Sequence, residues 1–183
     1  MAALTLPEVK THLDIDLTVE THNVELEDFI ARAEGAVETR CGPLLSEDVT
    51  ARVRGSRPML SVSDTPILEL TSVTPVGGSA LTLADLVVER PRAGVIEYQS
   101  GARFGSRWYV VVYKCGWAAT AAALPADLKA GTLELLRHMW DTQRATSGGR
   151  IGSGDESAAN TLPGSAYLLP FRVEQLLAPF MKV

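Results

Sequence analysis

An α+β fold is predicted: a small helical bundle with an inserted antiparallel β lobe and an extended C-terminal arm. Three observations predict it. Residues 23–41 and 124–144 carry apolar side chains at three- and four-residue spacing, the mark of amphipathic helices. Between them, residues 50–114 break into short β-branched runs divided by Gly and Pro. After Arg144 the composition turns Gly/Ser-rich before a final apolar segment. The 183 residues suffice for one domain with a true core and room for one inserted subdomain.

Each element has a local reason. A first short helix is expected over 5–13: Thr5 can cap it, Pro7 suits the first turn, and Glu8 stands three residues after the cap. The stretch DIDLTVETHN that follows is polar and rich in capping residues, and reads as a loop. In the second helix, 23–41, Leu26, Phe29, Ile30, Ala33 and Val37 share one face. Thr21 or Asn23 can cap its start, and Gly42 and Pro43 end it. Strands are expected at 50–55, 59–62, 66–76, 80–83, 86–90, 94–98 and 108–114, with Gly77-Gly78 and Pro91-Arg92-Ala93 as turns. The last, WYVVVYK, is the strongest strand signal, and together they suggest a small antiparallel sheet.

The third helix, 124–144, is the longest. Pro125 fits its first turn, Asp127 meets the positive end of its dipole, and Arg137 and Arg144 sit towards the negative end. Leu128, Leu133, Leu135, Leu136, Met139 and Trp140 form a broad apolar face, expected to pack against that of 23–41. Residues 145–167 read as a flexible arm, with too little apolar surface to fold alone. Residues 168–183 read as a docking segment: Tyr167 to Phe171 extended, then a turn or two of helix ending near Pro179. Folding back onto the core and contact with a partner both remain open for it.

Composition narrows the function. Acidic residues outnumber basic ones, 22 to 17, for a formal charge of −5, which argues against a free-standing nucleic-acid binder. There is no apolar run long enough to span a membrane, and the opening MAALTLPEVK lacks the charged-then-apolar order of a secretory signal. Cys41 and Cys115 therefore read as reduced, partly buried thiols.

No catalytic or metal site is expected, and no cofactor. His12, His22 and His138 show no ligand spacing. Asp14-Ile15-Asp16 with Glu20 lacks the glycine and spacing of a calcium loop. The glycines at 148–149 and 152–154 follow no strand, so they read as a linker and not as a phosphate cradle. Arg52, Arg54, Arg57, Arg103 and Arg107, with Arg90 and Arg92, form cationic clusters in and beside the β lobe. Such clusters suit carboxylates of neighbouring subunits or DNA phosphates, or simply line a solvated strand face. Trp108, Tyr109, Tyr113 and Trp117 read as core and interface anchors, not as a base-stacking platform.

The order of features carries a resemblance. The chain runs LTLPEVKTHLDID, a helix ending ETRCG, a β insert with PILELTSVTPVGG, LVVER and GVIEY, then WYVVVYKCGW, LPADLKAGTLELLRHMW and finally LPFRVEQLLAPF. Across nearly its whole length it resembles the head–tail connector (adaptor) proteins of long-tailed bacteriophages and related prophages. The Gly/Ser-rich arm departs from that pattern. The resemblance implies a non-enzymatic protein of the virion neck, made in the host cytoplasm, with no membrane contact. It implies a homo-oligomeric ring, typically a dodecamer, below the portal protein. That ring would extend the channel for genomic DNA and present a surface to a downstream neck or tail-completion protein. The C-terminal segment would contact the portal, through Leu168, Leu169, Phe171, Val173, Leu176, Leu177 and Phe180. The alternative is a generic α+β protein-binding module that docks one partner through the same segment.

Overall fold

The computed structural model describes residues 2–55, 58–147 and 169–182. Arg57, Leu168 and the expected arm beyond Ser147 lie outside the described residues. The fold is α+β and divides into two compact units. One, of residues 2–36 and 126–179, is helical; the other, of residues 37–125 and 180–183, is built on sheets.

In the helical unit, α1 spans Leu6–His12, and α2 (Asn23–Cys41) begins here and runs on into the other unit. The Thr5–Glu8 capping box is formed: the Thr5 backbone N–H and hydroxyl both donate to Glu8 Oε2, at 3.0 and 2.9 Å. The residues expected on the inner face of α2, from Leu26 to Val37, are all buried. The third helix, α3, spans Ala126–Ser147. It starts two residues later than expected and runs three further, because Leu124 is extended before it and Pro125 only leads in. Leu128, Leu135, Leu136 and Trp140 are buried, while Leu133 and Met139 are half-buried. The first part of α2 packs on the end of α3: Phe29 meets Trp140 edge-on at 5.8 Å, and Arg144 lies over the Trp140 ring at 3.8 Å. The last helix, α4 (Phe171–Leu177), lies on α3, where Leu177 Cδ2 is 2.8 Å from the position a Cβ would take on Gly131.

The sheet unit contains two three-stranded antiparallel sheets, not the single one expected. The first has the order β1 (Glu47–Arg54), β6 (Trp108–Cys115), β3 (Ile67–Pro75); the second has β2 (Leu60–Ser61), β5 (Val95–Tyr98), β4 (Leu86–Arg90). β6 is central because it alternates strictly: Tyr109, Val111, Tyr113 and Cys115 are buried in a core shared with Leu60, Ile96 and Phe104 of the same unit. β1 starts three residues earlier than expected, since Glu47 and Asp48 pair with Cys115 and Lys114 despite their charge. No strand forms over 80–83. Leu81 N–H donates a single 2.8 Å bond to Val73 O, and Leu83–Asp85 then turns as a 3-10 helix.

Gly42, the expected helix terminator, is required twice over. Its φ is +88°, and a Cβ there would stand 2.0 Å from Thr65 O. The two cysteines are buried and free, and burial pushes the Cys115 thiol up to about 11.

Candidate interaction surfaces

The seven apolar residues expected to dock a partner do not share one environment. Leu168 lies outside the described residues. Val173 and Leu177 are buried within the helical unit, where they seat α4. Phe171 is 73% exposed at the first position of that helix, with Arg172 beside it bonded to Glu134 of α3 at 3.4 Å. Leu169 and Leu176 are half-buried. The helical spacing makes this split: 173 and 177 lie one turn apart on one side, and 171 projects from another.

Phe180 belongs to the sheet unit. Its ring meets Trp117 edge-on at 4.9 Å, the Arg92 guanidinium lies 5.8 Å from the same indole, and Trp117 Nε1 donates to Cys41 O at 2.8 Å. Lys182 N–H donates to Arg40 O at 2.9 Å, and Arg92 donates to Met181 O at 3.4 Å. The terminal residues 180–182 are thus held by their own unit through a tryptophan that sequence reasoning had assigned only a generic anchoring role.

The arginines are not one cluster. Arg52 and Arg54 project from the outer side of β1, and the Arg52 guanidinium lies over Trp108 at 5.2 Å. Arg54 stands directly opposite Trp108 across the strands. Arg107 lies over the Tyr109 ring at 5.7 Å and donates a long bond to its hydroxyl. Arg103 is exposed on the loop before β6. Among the described residues none of these four pairs with a carboxylate.

A further surface escaped sequence reasoning. Lys10, within α1, is only 3% exposed, yet its ammonium reaches the loop that follows the helix and donates to Leu17 O at 3.1 Å and Val19 O at 2.7 Å. Thr18 closes the same loop by donating to Asp16 Oδ1 from both its N–H and its hydroxyl. That bonding holds the Asp16 carboxyl below the usual range. So braced, the loop turns Leu17 and Val19 outwards, and Val24, the second residue of α2, is exposed as well. The only signal in the sequence was an apolar residue at every second position of a polar loop.

Among the described residues no group of three or more His, Cys, Asp and Glu could hold a metal ion, and no helix is long and apolar enough to cross a membrane.

No protein-family model matches the sequence, and no curated protein does. Solved structures do share the fold. A chain from the neck of an empty gene transfer agent particle, computed with C6 symmetry, aligns with a TM-score of 0.64 at 18% identity. One from the virion of the native gene transfer agent particle aligns at 0.65 and 18%, and one from the neck of the native particle, computed with C12 symmetry, at 0.61 and 19%. Each alignment covers 99% of this chain and 90% of the other.

Proposed function

We propose that this chain is a structural component of a phage-like neck: a head–tail adaptor whose copies close a ring below the portal and carry the DNA channel towards the tail. The observation that supports it most is the near-complete alignment of the fold with chains from particle necks, two of them computed with C6 or C12 symmetry. The order of sequence features points the same way.

The physical properties suit the role. An acidic chain repeated around a lumen repels DNA phosphates, so that the genome slides and does not adhere. For the portal contact, the accessible group of the C-terminal segment is Phe171, with Leu169 and Leu176 flanking it; Val173 and Leu177 serve as its anchor to α3. Burying a phenylalanine contributes about 1.5–3 kcal/mol before ordering costs, and repetition around a ring multiplies the effect. Further partners in this reading are a downstream neck or tail-completion protein and genomic DNA. The site of action is the virion neck, after synthesis in the host cytoplasm.

The test is the native mass of the purified protein, alone and with portal rings, together with electron-microscope class averages of the largest species. A closed ring, free or seated on the portal, is the expected result. A chain that binds portal without closing a ring would leave the protein-binding module in its place. A chain that does neither would overturn the adaptor reading.

A further inference from the structure

The two units carry opposite charge. The sheet unit has ten Lys and Arg against eight Asp and Glu, a formal +2; the helical unit has seven against fourteen, a formal −7. Ion pairing sharpens the contrast. Among the described residues six of the ion pairs, His22–Glu25 included, lie within the helical unit, and in the sheet unit only Lys114–Glu69 is formed. The unpaired arginines of β1 therefore face solvent beside a tryptophan that is 45% exposed, an arrangement the packing of the sheet unit does not call for. On the outer side of β6 the next residue along, Val110, is half-buried and stands opposite Arg52.

The helical unit has the complementary surface. Val24 is 82% exposed and Leu17 57%, both fixed in place by the Lys10-braced loop and the start of α2. Glu20 and Glu27 each lie three residues after one of them in the sequence; both are exposed, and among the described residues neither pairs with a cation. Val24 lies on the side of α2 opposite its buried face, and Glu27, one turn on, lies on the flank, so no packing within the helix explains either.

We propose that these two surfaces bind each other between copies of this chain: the Val24–Leu17 knob with Glu20 and Glu27 on one protomer against Trp108, Arg52 and Arg54 on the next. The occupant is a second copy because the chain itself supplies both halves, matched in charge and in apolar content. Like surfaces would repel, so the contact is head-to-tail, the type that builds rings when the rotation closes. This rests on the ring reading above and assigns its interface. Arginine over an exposed indole is a frequent interface anchor, and the carboxylates would displace water from the guanidinium groups without breaking that stacking.

The first test is cross-linking of mixed single variants, V24C with W108C, at full length under mild oxidation. The native Cys41 and Cys115 are buried and serve as silent background. The expected product is the mixed disulfide dimer, in several-fold excess over either variant alone; no excess overturns the contact. The second is charge reversal. R52E/R54E and E20R/E27R should each weaken self-association about tenfold or more, and mixing the two variants should restore assembly, with the two chains alternating, because both kinds of junction are then charge-matched. If R52E/R54E loses only DNA binding and still assembles, the contact is wrong while the ring stands. If the mixed disulfide forms but no ring is ever seen, the contact stands and the adaptor reading fails.

Discussion

Lys10 shows how one side chain shapes a surface. An ammonium group removed from water must find acceptors, and here it finds two loop carbonyls, which fixes the loop that carries Leu17 and Val19. Lys10→Met keeps the stem and removes both bonds; it should destabilise the protein by about 1–3 kcal/mol in urea denaturation and raise hydrogen exchange in residues 14–22. Glu8 is a second case. The Lys129 ammonium bonded to it, and then the Thr5 N–H, hold its carboxyl below the ordinary range. The stability it contributes is therefore complete above that range and lost as pH falls through the lowered value. Both groups are part-exposed, so the difference should not exceed about 1 kcal/mol. Between about pH 5 and pH 3 the urea midpoint of the protein should fall more steeply than that of Glu8→Gln. The partner Lys129, 121 positions away, could not be read from the sequence; the Thr5–Glu8 box, three positions apart, could.

Among the elements, α2 was legible at both ends, because periodicity marks its body and Gly42-Pro43 its end. Gly42→Ala should cost well over about 1 kcal/mol and lower the melting temperature sharply, since neither the left-handed φ nor the backbone of Thr65 can yield. The C-terminal segment was legible as a short amphipathic helix, but not which of its faces is taken. Leu177→Ala should cost about 2–5 kcal/mol as a buried deletion. Phe171→Ser should leave stability within about 0.5 kcal/mol yet reduce portal binding. Equal stability loss in both variants would show that α4 is not seated by Val173 and Leu177 alone. Residues 80–83 misled because short β-branched and leucine-rich runs near Gly-Gly also suit a loop that returns one hydrogen bond to β3.

For the whole molecule, the proposed head-to-tail contact is largely electrostatic, so assembly should respond to salt. Raising ionic strength from about 0.05 to 0.5 M should shift the native mass downwards, and the R52E/R54E variant should show little further change. A ring held mainly by apolar contact would keep its mass.

What the sequence determined by itself was local: the α+β class, the limits of α2, the capping box, β6 as the strongest strand, and the order of features that suggested an adaptor. Each depends on neighbours a few positions apart, where periodicity, caps and turn residues act directly. Only the tertiary structure decided the rest: the division of the strands into two sheets, the bracing of the loop by Lys10, the seating of Phe180 on Trp117, and the separation of Phe171 from Val173 and Leu177. Those outcomes depend on which distant surface a side chain meets. A lysine, a tryptophan or an alternating apolar run looks the same in a sequence whether it is buried, bonded or left in water.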